Sequence, residues 1–206
     1  MTGLILKDLL YLKRMAKVLI TLLAFYMILF LQTGKDSASG ILSGVIVMLT
    51  VILSSNAFAY DEAAKWRVYE LSLPVSKSRI ILARYLLALI FSTALTLISL
   101  LMELVALRGA VWETGTALLT AWSIALLFCA VLFPTVYKYG MQKARLMLMT
   151  FVLLPILAMT LLQKANLPLP KESVLLMTLR IFPLFAVAAY FLSYLISCRV
   201  FTHRKS

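Results

Sequence analysis

The sequence predicts an all-α integral membrane protein with six transmembrane helices, an N-terminal amphipathic helix and a helical segment on the cytoplasmic face. Three observations carry that reading. Apolar residues fill 63% of the 206 positions and charged residues only 14%, where a soluble domain holds about 45–50% and about 25%. Mean hydropathy is +1.00. The charges that remain are separated by six long uncharged runs: Lys17 to Lys35, Asp36 to Asp61, Arg84 to Glu103, Glu113 to Lys138, Arg145 to Lys164 and Arg180 to Arg199.

Those runs hold 17, 24, 18, 24, 18 and 18 uncharged positions. A helix rising 1.5 Å per residue needs about 20 mostly apolar residues to cross a hydrocarbon core of about 30 Å. Blocks such as Val18–Leu23 and Leu146–Leu154 show none of the two-residue alternation of a barrel strand. Helices also satisfy their backbone polar groups internally, which lipid demands. The expected arrangement is one transmembrane domain over residues 1–206. An interfacial helix covers 1–17, spans lie near 18–33, 41–60, 85–107, 115–136, 146–162 and 180–198, and a cytoplasmic loop covers 61–84.

The opening 33 residues look superficially like a signal peptide, a basic arm before an apolar stretch. Ser37-Ala38-Ser39 is a poor cleavage site and five further spans follow, so the stretch reads as a retained helix. Leu4, Ile5, Leu6, Leu9, Leu10 and Leu12, interspersed with Lys7, Lys13, Arg14 and Lys17, suit a helix lying in the interface.

Orientation follows from the basic residues. An even number of spans puts both ends on one side, with the loops after spans two and four. That side collects 15 of the 20 Lys and Arg, leaving Lys35, Arg108, Lys164, Lys171 and Arg180 opposite. The positive-inside bias then places both termini in the cytoplasm. The formal charge of +12 reflects topology and anionic headgroups of the lipid bilayer, with no need for nucleic acid.

Several chemistries are missing from the residues. There is no G-x-x-x-x-G-K-S/T phosphate loop, no H-E-x-x-H, no paired-cysteine metal motif and no G-x-S-x-G. Nothing argues for an enzyme. Cys129 and Cys198 fall within or at the end of spans and read as small core residues. His203, the one histidine, lies in the C-terminal tail. Asn166-Leu167-Pro168-Leu169-Pro170 marks a turn before apolar residues 174–179, which a short re-entrant helix would accommodate.

The 61–84 segment is the informative one. Asp61 and Lys65 stand i,i+4 with the acid first, the favourable order for a helical pair. Trp66, Tyr69 and Leu73 recur as an apolar stripe, Pro74 ends or bends that helix, and Ser76 can cap the next one. A turn between spans needs only a few residues, so an amphipathic element of this length suits contact with another protein. A plain charged loop with Trp66 and Tyr69 anchored at headgroups is the competing reading.

Within and around that segment, Phe58-Ala59-Tyr60-Asp61-Glu62, then Trp66, then Leu71-Ser72-Leu73-Pro74-Val75-Ser76-Lys77 resembles the second-span exit of small ABC exporter permeases. These belong to the class that exports drugs, peptides and polysaccharides. Gly3-Leu4-Ile5-Leu6-Lys7-Asp8-Leu9 is similar to the N-terminal helix of the same family. The resemblance implies a subunit of the cell membrane that works in a pair, as homodimer or heterodimer, docked on a cytoplasmic ATPase. That ATPase would bind the ATP, and this chain would hold no cofactor. Asp61, Glu62, Lys65 and Arg67 would make polar contacts with it, while Trp66, Tyr69, Leu73 and Pro74 shape and pack the lever. The alternative function is a non-transporting membrane anchor, scaffold or immunity-type protein binding a cytoplasmic regulator.

Glu103 is the acid inside an otherwise apolar helix. Counted from Tyr85 it stands about 27 Å along span three, near the outer headgroups, where it would reach water or Arg108; the second reading puts it on a substrate path. Pro134, Pro155 and Pro183 interrupt spans four, five and six and each frees a backbone carbonyl. Gly40 and Gly44 form a G-x-x-x-G that would permit close approach of a second permease.

Overall fold

In a computed structural model of the chain, residues 20–21, 24–26, 28, 35–66, 76–106, 111–164 and 172–203 are described. Nearly all are helical. The helices are α1 (Lys35–Ala63), α2 (Lys77–Ala106), α3 (Val111–Tyr139), α4 (Met141–Lys164) and α5 (Glu172–His203). The expected interfacial helix at 1–17 lies outside the described residues. Of the first expected span, the described positions 20, 21, 24–26 and 28 are helical. Tyr26 donates from its hydroxyl to the Met48 thioether at 3.1 Å, which sets that segment beside α1.

Four stretches among the described residues are long and apolar enough to cross a membrane: Gly40–Ala63, Lys77–Leu104, Gly115–Tyr139 and Ile181–Phe201. Each contains or overlaps an expected span. The helices, however, run past the expected ends. α2 starts at Lys77, eight residues before the expected span at 85, with the Ser76 carbonyl accepting from the Arg79 and Ile80 amides at 2.9 and 3.4 Å. α5 starts at Glu172, so residues 174–179 belong to a continuous helix and not to a separate re-entrant one.

α3 is the central helix and touches each of the other four. Its sequence explains why. Leu118, Ala121, Ala125, Leu126, Cys129, Leu132, Phe133 and Tyr137 are buried and cover several faces of the helix. The alanines let neighbouring backbones come close. Leu42 and Ile46 of α1 pack with Leu118, Ala121 and Ala125. Near the other end of the bundle, Phe58, Tyr85, Tyr190 and Phe201 pack with Phe133 and Tyr137.

The polarity of the bundle is inverted relative to a soluble protein. Leu86, Ile90, Leu97, Leu101 and Leu104 stand exposed along one face of α2, as do Leu146, Met149, Leu153, Leu157 and Leu161 along α4. Thr50, Ser54, Ser92, Ser99, Ser123, Ser193 and Ser197 are buried. Lipid outside and satisfied hydroxyls inside account for that distribution. Thr50 and Ser123, for example, donate to the carbonyls of Ile46 and Leu119, each at 2.7 Å.

One buried chain of hydrogen bonds joins three helices. Pro134 sits inside α3 and cannot donate to the carbonyl of Ala130, four residues earlier. The Ser193 hydroxyl of α5 donates to that carbonyl at 2.6 Å. Its one hydrogen is thereby committed, so in the 2.7 Å contact with Tyr85 of α2 the phenol is the donor. Ser197 completes the cluster 2.8 Å from the same phenol oxygen. Ser193→Ala should therefore destabilise the fold by about 0.6–1.7 kcal/mol. In a Pro134→Ala background residue 134 regains an amide for Ala130, and the Ser193→Ala cost should shrink. Thermal melting of the four proteins in detergent checks this, and equal costs in both backgrounds would refute it.

Within this chain a Cβ added at Gly40 or Gly44 would meet nothing within 4 Å, so the G-x-x-x-G serves no close helix approach among the described residues. Gly44 lines an open groove of about 450 Å³ between α1 and α3, with Ser43, Val47, Ala117, Thr120 and Ile124. Cys129 is buried and Cys198 half-buried, and among the described residues neither is in a disulfide.

Candidate coupling site

Of the residues expected at the contact with an ATPase, Asp61, Glu62, Lys65 and Trp66 are described and sit at one end of the bundle, where α1 ends, α2 begins, and α3 turns into α4. Lys65, Lys77, Arg79, Arg84, Lys138, Lys143, Arg145 and Arg199 lie toward this end, while Lys35 and Lys164 lie at the other.

The expected helix from Asp61 to Leu73 is broken near its start, at Ala64 and Lys65, and Trp66 is helical again. α1 stops at Ala63, the Ala64 amide donates to the Tyr60 carbonyl at 2.9 Å, and the Lys65 amide to the Glu62 carbonyl at 3.1 Å. Lys65 then takes a left-handed conformation at φ 49°, which ends the helix and removes the i,i+4 geometry for pairing with Asp61. Trp66 follows, half-buried. Arg67, Tyr69, Leu73 and Pro74 lie outside the described residues.

Asp61 has a different partner. Its carboxylate forms an ion pair with Arg84 of α2, the side chains being 12% and 8% exposed. The Arg84 guanidinium also lies over the Phe58 ring, 4.6 Å from its centroid, a stacking a planar, delocalised cation favours. Phe58 in turn meets Phe133 and Tyr137 edge-on at 5.3 and 5.5 Å. The pair is thus seated on the aromatic core. An ion pair removed from water at this depth holds only while both partners are present.

Glu62, one residue on, turns to another neighbour. α3 and α4 are joined by Gly140 alone, at φ 85°, a conformation open to glycine and strained for most residues. The Gly140 amide donates back to Val136 at 2.9 Å, closing α3. The Met141 amide, the first donor of α4, goes to Glu62 Oε2 at 3.1 Å. A carboxylate there also complements the positive end of the α4 dipole. The hypothetical Cβ of residue 140 would lie 3.4 Å from Glu62 Oε1, so the carboxylate rests over the corner.

Sequence reading overlooked Arg84 and Gly140 as site residues. Arg84 served only to set topology. Gly140, alone between two apolar runs, carried a turn signal that was legible but unused.

Glu103 does not reach open water. It is 6% exposed, and its Oε2 has no hydrogen-bond partner among the described residues. It sits on the same face of α2 as buried Ser92 and Ser99, turned into the protein and not out to headgroup water. Arg108 lies outside the described residues. A buried acceptor without a partner costs about 1–3 kcal/mol, more when charged. Glu103→Gln should accordingly raise the melting temperature in detergent, and an unchanged or lowered value would contradict the burial argument. Among the described residues no group of three or more His, Cys, Asp and Glu assembles for a metal ion.

A family model described as "ABC-2 family transporter protein" matches residues 3–202, nearly the whole chain. The chain belongs to the ABC-2 transporter family. It is a multi-pass membrane permease component of an ABC transporter, a transport part and not itself the catalyst. No curated protein and no solved structure matches the permease.

Proposed function

We propose that this ABC-2 permease is the membrane subunit of an exporter, that it crosses the cell membrane six times with both termini in the cytoplasm, and that a separate ATPase subunit drives it. The observation that carries the reading is the family match over residues 3–202. The charge distribution supports the orientation: the bundle end bearing Asp61, Lys77, Lys138 and Lys143 is the basic one. The ATPase docks on the segment from Asp61 to Pro74. Lys65, Trp66, Arg67, Tyr69, Leu73 and Pro74 form its contact element, with Asp61 and Glu62 at its root. ATP is bound by the partner, and a second permease, identical or related, completes the pair.

The substrate is an amphipathic peptide, drug or lipid-like molecule, and Glu103 lies on its path. An acid kept in a buried position at a cost to stability is better explained by use than by folding.

The test is co-purification of the permease from its native membrane with an ATPase bearing a phosphate loop, followed by ATP hydrolysis measurements on the complex. Trp66→Ala combined with Tyr69→Ala should release most of the ATPase at an unchanged level of permease. A complex that survives the double substitution intact would reject the docking assignment. If the permease moves its cargo with no ATPase present, the driven-subunit reading fails as a whole.

A further inference from the structure

Resting on that driven-subunit reading, we infer that Asp61 and Glu62 form an internal two-pronged clip, in which Glu62 is a positioning residue that makes the α3–α4 corner travel with the end of α1. Successive helical residues point about 100° apart, so neighbouring carboxylates on α1 serve different neighbours. Asp61 holds Arg84 near the start of α2. Glu62 holds the Met141 amide at the start of α4. One dipeptide therefore fastens two other helices, at the root of the segment on which the ATPase pushes.

The Glu62 prong matters because little else joins α1 to α4. Their contact is slight beside those that α3 makes with α1, α4 and α5. Gly140 is a one-residue joint with a left-handed backbone, and no side chain of its own braces it. With Glu62 in place, the first free amide of α4 is tied across that joint to α1. Without it, α4 follows α1 mainly through α3 among the described residues and can swing about the glycine. The sequence had offered Glu62 as a contact with the ATPase; the clip gives its carboxylate work inside the permease instead.

Two measurements test this. In the first, the full chain alone is placed in lipid nanodiscs and amide exchange is followed over Met141–Ala144. Glu62→Ala should accelerate exchange at Met141 about fivefold, the factor expected for loss of an end-capping hydrogen bond. Glu62→Gln, whose amide oxygen still accepts, should recover most of the protection. Unchanged exchange in Glu62→Ala overturns the clip whether or not an ATPase is ever found.

In the second, spectroscopic labels at exposed Ala63, the last residue of α1, and Arg145 report their separation in the co-purified complex with and without ATP. The wild-type separation should stay fixed while the complex cycles. In Glu62→Ala it should change with ATP, and in Glu62→Gln it should return toward wild type. A wild-type separation that shifts with ATP, or a Glu62→Ala separation that stays fixed, overturns the inference. Loss of the ATPase from both Glu62 variants also overturns it, because Glu62 would then be a contact with the partner. Failure of any ATPase to co-purify with wild type strikes the driven-subunit reading and leaves the exchange result to judge the clip.

Discussion

Arg84→Ala is expected to cost about 3–5 kcal/mol of stability, the penalty for leaving one member of a buried ion pair without the other. The geometry explains why water cannot make good the loss. Asp61 is 12% exposed, so once the guanidinium is gone its carboxylate keeps a charge where few waters reach. The same substitution removes the cation from the Phe58 ring, 4.6 Å away, a second and smaller loss. Asp61→Ala should be costly for the converse reason, stranding Arg84 in contact with Phe58. Arg84→Lys should fall between: the charge survives, but the planar fork and its stacking do not. The decisive comparison is the double variant Arg84→Met with Asp61→Leu. Neither group remains to be desolvated, so it should melt closer to wild type than either alanine variant does. Melting followed by tryptophan fluorescence in one detergent gives all four values. If Arg84→Ala melts with wild type, the pair contributes nothing and the junction described above is wrongly drawn.

The same ion pair shows where sequence reading succeeds and where it stops. The uncharged runs located the apolar centres of the helices, because the requirement they reflect is a uniform one, a hydrocarbon layer of fixed thickness. The helices reach beyond those runs. Counting from the nearest charge began the third expected span at Tyr85, whereas the helix α2 begins at Lys77. Long basic side chains can reach the headgroups from within a helix, so a charge does not mark its end. Asp61 and Lys65 had the spacing of a helical pair, yet that pattern carries only a few tenths of a kcal/mol. A buried partner on another helix outweighs it, and Arg84 lies 23 positions away, where no local rule looks.

Glu62 and Ser193 illustrate the same limit from the side of the backbone. Pro134 and Gly140 announced in the sequence that a carbonyl and a helix start would need attention. Which side chain would attend to each depended on helix neighbours, and the charge pattern fixes only the direction of each span. The burial of Glu103 was out of reach for a related reason. Its height along α2 followed from the 1.5 Å rise, but whether that face met water or protein depended on packing. The family, by contrast, was legible from the Asp61-Glu62, Trp66 and Leu73-Pro74 pattern, which the match over residues 3–202 upholds.

Phe133→Ala should be the most damaging apolar substitution, with an upper bound of about 3–5 kcal/mol. Phe133 is 1% exposed on the central helix, and its ring meets Tyr85 at 4.7 Å, Phe58 at 5.3 Å and Tyr190 at 6.4 Å. These neighbours come from α2, α1 and α5, so one side chain fills the space among four helices. In a soluble protein much of the cost would be lost transfer from water. Here the unfolded helices still lie in lipid, and that part largely cancels. The cavity and the forfeited ring contacts remain. The loss should therefore exceed that of Leu86→Ala, a residue 40% exposed on the same bundle, whose side chain exchanges protein for lipid contacts in either state. It should also loosen the Tyr85 hydroxyl network, since the Phe133 ring packs edge-on against the Tyr85 ring. Melting temperatures of the two alanine variants, read in the same detergent, decide it: near-equal values would mean that α3 is not packed as the core of the bundle.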